Sequence, residues 1–184
     1  MKTIQVPSRN QVDSASQGIF DNLQKALGTV PNLYATIGYS SNALDAYLTY
    51  SQATDNGVFS KKEAEAIKLA VSEVNECQYC LAAHTVLAKM NGFSEEETLA
   101  LRAASISDKK LNVITHLARE IAQERGKASD EAKQAFFDAG YDEKALIDLV
   151  AIVVDITFTN YTHRLTQVPV DFPTVKPLGA KVAA

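Results

Sequence analysis

The sequence predicts an all-α fold of about seven or eight helices. Three observations carry that prediction. Apolar residues recur at three- and four-residue spacing through most of the 184 residues. Helix-start signals recur with them: Ser60-Lys-Lys-Glu63 and Ser94-Glu-Glu-Glu97 both fit the reciprocal Ser/Glu capping box. Strand signals are nearly absent. Only Ala151–Thr159 is rich in β-branched residues, and its flanks keep helical spacing, so it reads as helix.

The elements follow in order. Residues 1–15 are polar, carry Pro7 and read as an extended arm. From Ser16, the stripe Ile19, Phe20, Leu23, Leu27 predicts a helix that stops at Gly28. Pro31 opens a short helix with Leu33, Tyr34 and Ile37 on its apolar side. A third spans about Asn42 to Asp55, before the turn signal Asn56-Gly57. Ser60 caps the next, with Phe59 placed to staple it, and Asn75 is the expected cap of the helix that runs on to Met90. Ser94 opens a helix to about Ala104, and Ser107 is expected to cap another to Arg125. Ser129 starts a shorter one ending at Gly140, and Asp142 starts the last long one, fading near Leu165. Pro169, Pro173 and Pro177 make residues 167–184 a non-helical tail. The whole chain reads as a single domain, 1–184.

Composition narrows the function classes. A net charge of −4, with no dense Lys/Arg run, gives no footprint for nucleic acid. The N-terminal MKTIQVPSRNQ lacks the apolar stretch of a secretory signal. The longest apolar run, Leu146 to Val154, is interrupted by Asp148 and reads as too short for a membrane span. A cytoplasmic location is the expectation. In that compartment two closely spaced cysteines point to redox cycling or metal binding rather than to a structural disulfide.

Those two cysteines lie in the stretch around which the chain is organised, Glu65-x11-Cys77-x2-Cys80-x3-His84. On a helix, Cys80 and His84 stand one turn apart and Cys77 shares their face. A thiolate is the reactive form of cysteine, and two devices here favour it. A helix N-terminus stabilises negative charge at Cys77. His84 takes a proton from Cys80, and Glu65, on the preceding antiparallel helix, orients that imidazole. The two devices select different cysteines. Cys80 is preferred as the attacking thiolate because a positioned base also serves the leaving group. Cys77 is then the resolving thiol, closing a disulfide on the sulfenic acid that a peroxide leaves on Cys80.

This four-residue pattern resembles the AhpD-like alkylhydroperoxidase family of the carboxymuconolactone decarboxylase superfamily. The strong part covers about residues 59–93. Val30-Pro-Asn-Leu33 and Thr166–Pro173 more loosely resemble its peroxidase-related branch. The resemblance implies a helical AhpD-like fold in homo-oligomers (dimers, trimers or hexamers). It implies reduction of peroxides by peroxidatic Cys80 and resolving Cys77, with Glu65 and His84 as a proton relay and no cofactor or metal. A dithiol protein, lipoylated or thioredoxin-like, would regenerate the thiols. One departure stands out: the best-known members carry a second histidine just before the second cysteine, where this chain has Tyr79. A phenol donates a hydrogen bond but is a poor base at neutral pH.

Other readings of the same residues stand beside this one. The dithiol could serve a general thiol–disulfide oxidoreductase without preference for peroxide. Cys77, Cys80, His84 and Glu65 could ligate zinc in a non-catalytic oligomer, or the cysteines could be small apolar core residues. Outside the motif, His116 reads as a partly buried, satisfied histidine, and His163 as lying near a helix end against carbonyls. Tyr34, Tyr39, Tyr47 and Tyr50 read as core or subunit contacts, and Asp148 and Asp155 need partners if buried.

Overall fold

Every other element is arranged around the helix that opens at Ser60. In this computed structural model, which describes residues 3–178, that helix is α4, Lys61–Val74. Its residues from Ala64 to Ser72 are buried without a break. A helix covered on all sides belongs at the centre of a bundle. Before it come α1 (Ser14–Leu27), α2 (Asn32–Ile37) and α3 (Ser41–Thr54). After it come α5 (Gln78–Met90), α6 (Glu95–Arg102), α7 (Lys109–Gln123), α8 (Asp130–Asp138) and α9 (Glu143–Thr166). A single 3-10 turn at Arg9–Gln11 sits in the N-terminal arm. Among the described residues there is no strand. The predicted all-α class holds, with nine α-helices among the described residues in place of seven or eight. α4 packs against α5, α6, α7 and α9, which form its walls.

The local signals explain most of the boundaries. At both predicted capping boxes the serine hydroxyl accepts from the backbone three residues on, and the glutamate reaches back to the serine N–H, at 2.9 Å for Ser60 and 2.7 Å for Ser94. Ser129 and Asp142 cap α8 and α9 as expected. Gly28 ends α1 in the left-handed region, φ 78°. Two caps differ. Asp108, not Ser107, caps α7, its carboxylate accepting from Leu111 N at 3.0 Å, where a negative charge also complements the helix dipole. Asn75 closes α4 instead of opening α5, and Glu76 turns the chain through φ 51°. Cys77 is then left extended, as the N-cap residue of α5.

α9 runs unbroken through the β-branched stretch Ala151–Thr159, because its buried face packs on α3, α4, α5 and α7. By length and composition it could span a bilayer, contrary to the expectation from Leu146–Val154 alone, since helical residues on both sides extend the apolar stretch. Nearly half of that stretch is buried in the protein, as suits a core helix. Both aspartates on it are partnered. Asp148 accepts from Val58 N at 2.9 Å, and an added Cβ at Gly57 would lie 2.9 Å from the same carboxylate. Asp155, 2% exposed, lies 3.4 Å from Lys68 Nζ of α4 and accepts from Ser51 Oγ. Burial raises the Asp155 pKa, and Lys68 works against that shift. Lys68 also approaches Asp55 at 3.7 Å.

The outer side of α9 carries exposed Ile147, Val150, Val154, Phe158, Tyr161 and Leu165. Much of this stripe lines a groove of about 630 Å³ against Ile121 and Ala122 of α7. His116 is exposed, not partly buried, because it falls on the solvent side of α7.

Lys68 and Asp155 test the core. Lys68→Met strands a buried carboxylate and is expected to cost about 3–5 kcal/mol in urea unfolding. Replacing both charges, Lys68→Met with Asp155→Leu, is expected to restore most of that loss. Equal destabilisation in the single and double variants would contradict the pairing.

Candidate active site

The reversal at Glu76 lays α5 back along α4, and this sets Glu65 against His84. Glu65 Oε2 and His84 Nδ1 are 2.7 Å apart, both side chains largely buried. With Nδ1–H donating to the carboxylate, the Nε2 lone pair of His84 is free to act as a base. The predicted carboxylate–imidazole pair is present.

The cysteines follow from the same geometry. Cys77 and Cys80 are both free thiols and both buried. As N-cap, Cys77 Sγ accepts from the Cys80 backbone N–H at 3.2 Å, at the positive end of α5. The last turns of α9 cross this reversal. Cys80 Sγ lies 3.9 Å from Thr159 Oγ1, Asn160 bonds to both Asn75 and Ser72, and Arg164 pairs with Glu76. His163 is buried on the same face of α9 and packs on the Tyr79 ring.

These surroundings drive the two thiols apart. The Cys77 pKa is lowered, first by the hydrogen bond from Cys80, which outweighs the opposing effect of burial, and then by His163. The Cys80 pKa is raised well above the ordinary thiol value, first by burial and then by its neighbour Cys77. Ionisation therefore favours Cys77 as the resting thiolate.

Access favours Cys80. A cavity of about 380 Å³ is lined by Cys80 and His84 and walled by Tyr34, Tyr47, Tyr79 and Phe172. Cys77 is not on its surface. No lysine or arginine among the described residues lines it either. The larger α7–α9 groove contains none of the four motif residues. Tyr79 is held in place. Its hydroxyl accepts from Leu33 N at 3.3 Å, and its ring packs between His163 and Phe172. Burial, then the hydrogen bond to Asp171, raises the phenol pKa, so it stays protonated.

Among the described residues no group of three or more His, Cys, Asp or Glu side chains is placed to hold a metal ion. Cys77 Sγ is bonded at the N-terminus of α5, and His84 Nδ1 is tied to Glu65. Sequence reasoning missed the part played by α9. Tyr34 packs against the core as expected, and with Tyr47 it also walls the cavity, a role the spacing did not show. The spacing Asn160-x-x-His163 places both on one face of α9, but not against the cysteines.

Residues 41–124 match the Carboxymuconolactone decarboxylase family, an interval that holds the whole Glu65–His84 site. That interval is similar to the carboxymuconolactone decarboxylase family, the resemblance that the Glu65–Cys77–Cys80–His84 pattern also carries. Solved structures share this helical fold over most of the chain. The debrominase Bmp8 in its apo form is similar at 17% identity over 93% of each chain, with a TM-score of 0.77. A peroxidase-related protein from Silicibacter sp. TM1040 is similar at 19% identity, covering 97% of this chain and 96% of that one, with a TM-score of 0.75. An alkylhydroperoxidase AhpD core protein from Ralstonia eutropha JMP134 is similar at 19% identity over 87% of each, with a TM-score of 0.76. No curated protein sequence matches significantly.

The split between access and ionisation has a direct readout. A small apolar maleimide is expected to label Cys80 alone, mapped by peptide mass spectrometry. Because the Cys80 thiolate forms only on the alkaline side of the ordinary thiol range, the rate should climb as pH rises. Labelling of Cys77 first would reverse the assignment.

Proposed function

We propose that this chain is a thiol-dependent peroxidase whose preferred substrates are apolar organic hydroperoxides. The observation that carries the reading is the opening of Cys80, beside the Glu65–His84 pair, into an aromatic-walled cavity with Cys77 directly behind it. Hydrogen peroxide is little larger than water, whose share of liquid volume is about 30 Å³. A cavity of about 380 Å³ fits an organic ligand instead. With no cation on its described wall, it favours uncharged molecules.

The chemistry balances within the site. His84 takes the Cys80 thiol proton, and the thiolate sulfur attacks the terminal peroxide oxygen. The S–O bond forms, the O–O bond breaks, and the departing alkoxide takes the proton from His84 to leave as alcohol. Cys80 is then a sulfenic acid. Cys77 attacks its sulfur, the S–S bond forms, and hydroxide departs to become water. An external dithiol supplies the two electrons that restore the thiols. A slender arm such as a lipoyl group reaches the buried Cys80 thiol better than the broad face of a thioredoxin does. The same burial disfavours a general oxidoreductase acting on large protein disulfides. A cytoplasmic setting, which keeps thiols reduced, goes with the proposal.

A second reading has one observation in its favour. The aromatic walls suit a planar ring, and a cysteine-to-alanine form of the debrominase Bmp8, similar in fold, was solved with 2,3,4-tribromopyrrole. A dithiol can also reduce an aryl bromide to arene and bromide, closing the same disulfide.

Titration of the reduced protein separates the readings. One equivalent of cumene hydroperoxide is expected to consume both thiols, at least ~10-fold faster than hydrogen peroxide, given the cavity's apolar walls. Cys80→Ser should abolish the reaction, and Cys77→Ser should leave a sulfenic acid that dimedone traps. Inertness to peroxides, with bromide release from bromopyrroles, would select the second reading.

The proposed homo-oligomer uses the outer stripe of α9. Ile147, Val154 and Tyr161 stand seven residues apart, as do Phe158 and Leu165, a spacing that suits helix-to-helix pairing between copies. Val154→Lys with Tyr161→Lys is expected to lower the mass measured by sedimentation equilibrium while helicity is kept. An unmodified chain that sediments as a monomer would refute the interface.

A further inference from the structure

The cavity at Cys80 has a long axis, and two of its walls reveal it. One wall is a stripe of α5. Cys80, His84, Leu87 and Met90 follow one another at three- and four-residue spacing, and all four line the cavity. Ten residues of helix advance about 15 Å. A second wall is the link from α1 to α2. Its alternate residues Leu27, Thr29, Pro31 and Leu33 line the same cavity. Six residues reach at most about 20 Å when extended, so the two walls are of comparable length.

Burial grades along both walls. On α5 it falls from Cys80, 2% exposed, through partly buried His84 to Leu87 at 38% and Met90 at 77%. On the link it falls from buried Leu33 and Pro31 to exposed Thr29 and Leu27. Cys80 and Leu33 therefore mark the inner end, and Met90 and Leu27 mark the mouth. A single exposed apolar side chain is ordinary on a protein surface. Two that line one cavity where it opens make an apolar rim.

The dimensions select a ligand. About 380 Å³ spread over about 15 Å leaves a section of roughly 25 Å². At about 30 Å³ for a water-sized group, the volume holds roughly a dozen groups in single file. An extended chain of single bonds advances about 1.2 Å per bond, as a polypeptide does, so a dozen bonds also span the length. Beyond His84, the α5 side chains on the wall are Val86, Leu87 and Met90, all apolar.

We propose that this cavity is a channel for one unbranched alkyl chain of about ten to twelve carbons, its reactive end at Cys80 and its tail between Leu27 and Met90. The substrates are then linear primary alkyl hydroperoxides, and Leu87 and Met90 set the preferred length. That the reactive end is a hydroperoxide rests on the peroxidase reading; the binding of the chain does not.

Alkan-1-ols, the products that linear hydroperoxides leave, probe the channel without being consumed by the thiols. Calorimetry on the reduced protein is expected to show affinity rising about fourfold per methylene from hexanol to decanol. The chain contains no tryptophan, so Met90→Trp on the exposed rim supplies a single reporter. At saturating alcohol its emission should shift to shorter wavelength with dodecanol and stay unchanged with hexanol, which spans about half the channel. Dodecanol that binds while the reporter stays silent lies elsewhere, as in the α7–α9 groove, and would overturn the channel. An equal response to hexanol, or affinity that does not change between hexanol and decanol, would overturn it too. Consumption of cumene hydroperoxide without these results would leave the peroxidase reading and remove the channel. These results without peroxide consumption would do the reverse.

Discussion

A helix buried on every side cannot leave an ionisable side chain unpartnered, and α4 carries two in its buried run, Glu65 and Lys68. Removing a carboxylate or an ammonium from water costs several kcal/mol. Each must therefore be met by a group on a neighbouring helix, and those meetings decide which helices lie where. Lys68 finds Asp155 and ties α9 to the core. Glu65 finds His84 and ties α5 to it. His84 is thereby held on the wall it shares with Cys80, and the site follows from how α4 disposes of its charges.

The second constraint is electrostatic and lies within one helical turn. Two neighbouring buried thiols resist ionising together, because the first negative charge raises the cost of the second. The protein resolves this asymmetrically. Cys77 has the helix N-terminus and the hydrogen bond from Cys80; Cys80 has burial and the neighbouring Cys77. The sequence-based preference for Cys80 as the thiolate weighed the imidazole one turn away and underweighted the turn itself. Once Glu76 adopts a positive φ, Cys77 becomes the cap, and a cap sulfur receives the backbone N–H directly.

What was legible in the sequence was local. Ser60 with Glu63 and Ser94 with Glu97 announce their helices because the capping interaction spans three residues. Glu65 and His84 could be paired because two helices joined by a short reversal are bound to be neighbours. The rest depends on packing between segments distant in the chain. Thr159, Asn160 and His163 lie eighty or so residues beyond the cysteines. Their spacing shows which face of α9 they share but not what that face meets. The cavity role of Tyr34 and Tyr47 was hidden for the same reason: their ring contact at 5.7 Å joins α2 to α3, and only the assembled bundle turns it toward a cavity.

The position where Tyr79 replaces a histidine shows how these constraints combine. A base between the two cysteines would compete for the thiol protons from within α5. The phenol instead holds its proton, anchors α2 through Leu33 N, and offers its ring as a wall for His163. α9 brings the His163 ring across the bundle onto that phenol, with centroids 5.4 Å apart. Negative charge then rests on the sulfur that lies off the cavity surface, while the sulfur on that surface stays neutral among apolar walls. A neutral thiol does not disturb the binding of an uncharged ligand. It ionises only when His84 takes its proton, and that base is already aligned by Glu65. Charge separation is thereby deferred to the moment of reaction, when the leaving oxygen is present to receive the proton.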